Sequence, residues 1–196
     1  MIQTWLPTWL RADLSLISGF LTWIVVLSWL WRSGWKIQRR YFIEATQKPL
    51  TRNAIVWSAG IVGAIFFVAA QMRPGMPGVM TVAMIGALSA YVDARTHRLP
   101  NAYTVAMAIG VVLGAIIGGV ISPLWQQRLV GSLLGALIWF VPVDLLNRLP
   151  GGMGGGDVKL APVLGAMVGS VSLHATVFAL ALSFVSAGVA ALWKIV

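Results

Sequence analysis

An all-α fold is predicted from this sequence: a polytopic transmembrane helical bundle of about seven spans, with six as the alternative count. Hydrophobic residues fill 59% of the 196 positions and charged residues only 10%, against about 25% charged in a soluble domain. The apolar residues also recur in blocks of roughly membrane-spanning size, separated by short polar joints. Together these make the bilayer, and not water, the main solvent of the chain.

Taken in order, the first block runs from Leu14 to Trp31. The longest joint, Arg32 to Asn53, follows it and mixes Trp35, Tyr41 and Phe42 with basic residues, the composition of a segment lying along lipid headgroups. Residues 1–53 are therefore read as one division, a span plus a basic cytoplasmic segment, and 54–196 as a six-span core. The core spans are Ala54 to Ala70, Val79 to Val92, Ala102 to Ile121, Leu129 to Leu146, Val158 to Val171 and Leu173 to Trp193. The last two are joined by so little that a tight helical hairpin near Ser170 and Ser172, or a merged re-entrant element, gives the count of six. Pro142 is expected to kink the span from Leu129. Glycines at four-residue spacing, in Gly110, Gly114 and Gly118, in Gly131 and Gly135, and in Gly165 and Gly169, suit helices that approach closely in lipid; a homo-oligomer seam is the other use of such spacing. Trp5, Trp9, Trp31, Trp125 and Trp193 fall near span ends, where amphipathic rings prefer to sit. The N-terminus carries no basic leader ahead of its first apolar stretch, so a removed signal peptide is not expected.

The net charge of +9 does not point to nucleic acid, because the basic residues fall between apolar blocks and not on one exposed stripe. They set topology instead. Arg32, Lys36, Arg39, Arg40, Lys48, Arg52, Arg95, Arg98, Arg148, Lys159 and Lys194 fall on one side of the predicted spans, and only Arg11, Arg73 and Arg128 on the other. Since Lys and Arg are retained in the cytoplasm, the N-terminus is expected outside, the C-terminus inside, and the joints holding Asp93 and Asp157 in the cytoplasm. Cysteine is absent, which excludes disulfides, thiolate zinc sites and a cysteine nucleophile.

Acidic residues number only five: Asp13, Glu44, Asp93, Asp144 and Asp157. A carboxylate in or beside a span is costly and is a functional candidate by default. Asp93 directly follows one apolar block and Asp157 directly precedes another, and both blocks are shorter than the ~20 residues a span needs. The first can lengthen through Asp93 to about His97, stopping before Leu99-Pro100 because the residue ahead of a proline disfavours helix. The second is blocked from growing backward by Gly151, Gly152, Gly154, Gly155 and Gly156, and exposed glycine backbone at that depth requires protein or a water-filled recess around it. The expectation is a wet cleft, open to the cytoplasm, with a carboxylate from each helix at its rim. Such a pair can share a proton and activate water, with no metal or cofactor. It can also do nothing more than bond loop amides or the adjacent Arg95 and Lys159, or relay ions in a small transporter. Asp144 stands four residues before Arg148, the spacing of an intrahelical ion pair. His97 is expected to be a solvated loop residue, and His174 lies at the opposite face.

The segment Asp93-Ala94-Arg95-Thr96-His97-Arg98-Leu99-Pro100-Asn101 resembles the first motif of type IV prepilin peptidases, an aspartate followed by an aliphatic residue, proline and asparagine. Gly152-Met153-Gly154-Gly155-Gly156-Asp157-Val158-Lys159-Leu160 is similar to their second, glycine-any-glycine-aspartate followed by a lysine. The resemblance covers about Val79 to Val171 by motif. It implies a plasma-membrane aspartic endopeptidase that removes the short basic cytoplasmic leader of type IV prepilins or pseudopilins, cutting after a glycine at the edge of the substrate's hydrophobic helix. Asp93 and Asp157 are then the catalytic pair, and Gly154, Gly156, Lys159, Pro100 and Asn101 shape the loops and the substrate contact. Larger members carry a cysteine-rich insertion associated with N-methylation of the new terminus; this chain has none, so the resemblance is to the compact, peptidase-only form. Leu99 stands where isoleucine is common. The alternative from another class is a non-catalytic membrane subunit of a pilus or secretion assembly machine.

Overall fold

The computed structural model describes residues 7–70, 75–122, 124–150 and 154–193. Expectations for Trp5, Arg73, Gly151, Gly152 and Lys194, and for the side chain of Trp193, lie outside the described residues. Every predicted apolar block is a helix, and no strand occurs among the described residues. Helix α1 spans Thr8–Trp29 and continues through a π-helical turn, Leu30–Gly34, into α2, Trp35–Glu44. There follow α3 (Arg52–Ala69), α4 (Met76–Thr96), α5 (Asn101–Ile121), α6 (Trp125–Asn147), α7 (Gly155–Gly169) and α8 (Leu173–Trp193). Five of these stretches are long and apolar enough to cross a membrane, the first being the continuous Trp9–Glu44. At 36 residues and about 1.5 Å per residue, that stretch exceeds a hydrocarbon core of about 30 Å, so α2 projects beyond it. The molecule is a polytopic helical membrane bundle.

Local chemistry sets the helix ends. Thr51 caps α3, its hydroxyl accepting from Ala54 N at 3.3 Å. Gly75, at φ 94°, turns the chain into α4, and Pro77 occupies the first turn, where a missing N–H costs nothing. Ser122, which precedes a proline, is extended and ends α5. Helix α6 runs through Pro142 and α7 through Pro162. The α7–α8 junction is the tight hairpin and not a merged element: Ser170 N donates to Ala166 O at 3.1 Å, and Thr176 Oγ1 to Ser172 O at 2.8 Å.

The chain forms two compact units, Met1–Trp125 and Gln126–Val196. In the first, α4 is the central helix. Met76, Met80, Met84, Ile85 and Val92 are fully or almost fully buried against α1, α3 and α5. Backbone approach accounts for the glycines of α5: a Cβ on Gly114 would lie 2.7 Å from Gly78 N, and one on Gly110 would collide with the Thr81 side chain. The opposite stripe of α5, at Val105, Ile109, Val112, Ile116 and Val120, is exposed and apolar, as a lipid-facing surface requires. In the second unit, α6 and α7 meet through Gly131, Gly135, Gly165 and Gly169, so the predicted glycine seams are occupied within the chain. Trp139, Val143 and Ala161 form the core of this unit with Val158, Leu164 and Phe184 around it, and Trp139 Nε1 donates to Thr176 O at 3.1 Å.

The basic joint packs one face on the first unit. Gly34, Gln38 and Phe42 recur at four-residue spacing and are buried, while Lys36, Arg39 and Arg40 point to solvent. Phe42 stacks on Tyr91 of α4 at 6.1 Å, and the buried hydroxyl of Tyr103 donates to Gly34 O at 3.0 Å. The joint thus has an inward face, because the π-helical turn rotates α2 onto the first unit. Replacing Tyr103 by Phe removes that buried hydrogen bond and is expected to cost about 1 kcal/mol, read as a lowered midpoint of thermal unfolding in detergent.

Candidate active site

Asp93 lies in the last turn of α4, half-buried, four residues beyond the buried Ser89 on the same helical face. The helix does run through it, as the length argument requires, and stops at Thr96. His97 takes the left-handed conformation, φ 50°, and its N–H bonds to the carbonyl of Asp93 at 2.7 Å. Thr96 Oγ1 donates to Val92 O at 2.8 Å. Pro100 is buried and caps α5, with Tyr103 N bonded to its carbonyl at 3.0 Å, and Asn101 opens that helix, exposed. The motif is therefore a compact reversal between two apolar helices, with the aspartate on its ascending limb. Within its own unit, Asp93 makes no ion pair among the described residues; the neighbouring Arg95 instead lies 5.7 Å from the Tyr91 ring.

A left-handed backbone is costly for a side chain with a Cβ and free for glycine. His97→Gly should accordingly keep the reversal and raise stability slightly, by about 1 kcal/mol. The unfolding midpoint of the purified variant in detergent checks this; a lowered midpoint would show that the His97 side chain itself supports the turn.

Asp157 occupies a different helical position. Gly154, extended at φ −68° and ψ 147°, is the N-cap of α7, and Asp157 N bonds to its carbonyl at 3.0 Å. Asp157 therefore stands inside the first turn of the helix, and not directly before it as the glycine run suggested. The reason is that first-turn N–H groups have no intrahelical partner in any case, so Gly155 and Gly156 can enter the helix there at small cost. A carboxylate at this position is favoured by the partial positive charge of the helix start. A Cβ on Gly154 would sit 3.7 Å from Asp157 Oδ2, whereas one on Gly155 would meet nothing within 4 Å. Asp157 and Lys159 are both exposed.

Two of the remaining carboxylates, Asp144 and Glu44, are engaged elsewhere. Asp144 pairs with Arg148 at 2.8 Å, at the predicted spacing. Glu44 pairs with Arg40 and Arg98, each at 2.8 Å; the hydrogen bond from Arg40, reinforced by Arg98, holds its carboxyl below the usual glutamate range. That second pair ties α2 to the Asp93 motif, as does Gln47, whose Nε2 donates to Arg95 O at 2.8 Å. Neither contact was visible in the motif pattern; the scarcity of acidic residues was the one signal that singled out Glu44. Among the described residues no cluster of His, Asp and Glu has the makings of a metal site.

No curated protein and no solved structure matches the chain. Residues 79–192, more than half of it, match the type IV leader peptidase family. That stretch begins inside α4, takes in both aspartate motifs and ends within α8; a polytopic membrane protein that carries them in this order belongs to the type IV leader peptidase family.

Proposed function

We propose that this peptidase is an aspartic endopeptidase of the plasma membrane that cuts the short basic leader from type IV prepilins or pseudopilins at the cytoplasmic face, with Asp93 and Asp157 as its catalytic pair. The observation that carries the reading is that the family match spans both motifs and that each motif aspartate stands in a terminal turn of an apolar helix. Those are the depths at which a scissile bond beside a substrate's hydrophobic helix is presented. The eleven-to-three division of basic residues supports a cytoplasmic position for both.

In this reading one carboxylate takes a proton from water as the water oxygen attacks the scissile carbonyl, while the other donates its proton to the carbonyl oxygen. The tetrahedral intermediate then collapses, the C–N bond breaks, and the departing amine receives a proton from the pair. In this reading the proton is shared by the pair and belongs to neither aspartate alone. Gly154 and Gly156 leave the backbone open beside Asp157, Lys159 and Asn101 face the substrate, and Pro100 fixes the reversal after Asp93. No cofactor enters. With no cysteine-bearing insertion in the chain, methylation of the new terminus is assigned to another protein.

The test is incubation of detergent-purified protein with a panel of prepilins, reading the released leader by mass and the new N-terminus by sequencing. Cleavage after a single glycine is the expected result. Stable association with pilus-assembly proteins and no cleavage of any substrate would favour the non-catalytic subunit instead.

A further inference from the structure

The segment that ends α2 and leads to α3 lies outside the family match, yet it grips the first aspartate motif. Gln47 Nε2 donates to Arg95 O at 2.8 Å and Glu44 Oε2 accepts from Arg98 Nη1 at 2.8 Å, so the motif is held by one backbone carbonyl and one side chain from the same segment. The segment is itself pinned. Gln38 is fully buried and uses both ends of its amide on Leu50: Nε2 donates to Leu50 O at 3.0 Å, and Leu50 N donates to Oε1 at 3.3 Å. The stacking of Phe42 on Tyr91 and the bond from Tyr103 to Gly34 O attach it again, just before and just after the motif. An exposed ion pair alone contributes little, and Arg98 and Glu44 are 61% and 40% exposed. Four contacts from one pinned segment onto both sides of one short reversal are a different matter, because the ordering cost of the segment is met once and shared. The position they stabilise is a strained one, His97 at φ 50°, which contains the N–H bonded to the Asp93 carbonyl.

We propose that Glu44 and Gln47 are positioning residues, forming a clasp through which the basic segment holds the Asp93 reversal in its working geometry. The inference rests on the peptidase reading for its catalytic consequence, though not for its structural one. The clasp fixes where the end of α4 stops, and so how far Asp93 can swing; freeing it leaves the carboxyl group in place but spreads it over more orientations, which lowers turnover more than substrate binding.

The decisive comparison is the unmodified protein against the Glu44→Ala/Gln47→Ala double variant, by hydrogen exchange of the peptide covering 93–101 and by prepilin cleavage. Exchange across that peptide should accelerate about tenfold with the rest of the chain unchanged, and kcat should fall about five- to tenfold with KM within about twofold. Exchanging the partners, Glu44→Arg with Arg98→Glu, should recover part of both losses relative to either single variant. Unchanged exchange in 93–101, or faster exchange with undiminished kcat, overturns the proposal. A fall in KM-weighted affinity alone would make the segment a substrate contact and overturn it equally. If the unmodified protein cuts no prepilin while Asp93 and Asp157 are intact, the peptidase reading fails by itself, and the exchange measurement still decides whether the clasp orders the motif.

Discussion

Asp93→Asn and Asp157→Asn, each made alone, are expected to reduce leader cleavage by about 10³-fold or more while leaving the protein folded in the membrane. Asparagine has the size and shape of aspartate but can neither take a proton from water nor give one to a carbonyl oxygen. In the proposed mechanism the two carboxylates share one proton, so the double variant should be hardly worse than either single one; effects of groups that work together do not add. The fold should tolerate both changes. Asp93 makes no ion pair within its own unit among the described residues, and Asp157 stands in an exposed first turn. Released leader is measured by mass, with the unfolding midpoint in detergent as the control. Full activity of either variant would remove that aspartate from the mechanism.

The second large effect is structural. Gly165→Leu should break the pairing of α6 with α7, costing more than about 3 kcal/mol. A Cβ there would lie 2.8 Å from the Cβ of Trp139 and collide with the backbone of Gly135; neither is the movable end of a flexible side chain. Trp139 is also the centre of the second unit's core and donates to Thr176 O, so the displacement reaches α8. Gly188→Leu is the matched control, since nothing lies within 4 Å of a Cβ at that position of α8. It should be neutral or stabilising by up to about 1 kcal/mol through helix propensity. Comparing the two unfolding midpoints separates loss of a helix contact from the general effect of adding leucine to a membrane protein; equal shifts would show that the glycine seam is not what holds α6 to α7.

Much of the fold was legible because bilayer solvent imposes few choices. Each apolar block had to be helical to satisfy its own backbone, and Leu99-Pro100 marked the stop beyond Asp93 as it does in the structure. The tight hairpin at Ser170 to Ser172 was one of two alternatives, and hydrogen bonds within the turn decide for it. Less legible was α2. Its aromatic and basic residues read equally well as a headgroup strap, because composition does not say which face of a short helix has a partner. The buried stripe of Gly34, Gln38 and Phe42 exists only because a π-helical turn, which has no strong sequence signal, sets the rotation of that face. The start of α7 was misplaced by three residues for a related reason: glycine propensity describes helix interiors, and it weighs little at the opening of a helix, where the backbone N–H groups of Gly155 and Gly156 have no carbonyl one turn earlier in the helix to lose.

The sequence by itself determined a polytopic helical membrane protein and the two aspartate motifs of its family, because hydropathy, proline and glycine act locally and leave their mark in residue order. Only the tertiary structure decided that α5 meets α4 across Gly78 and Gly114, that α6 meets α7 across Gly135 and Gly165, and that Glu44 and Gln47 reach the Asp93 reversal. Those contacts join residues far apart in the chain through distances of closest approach, and closest approach is a property of packed surfaces that no local pattern encodes.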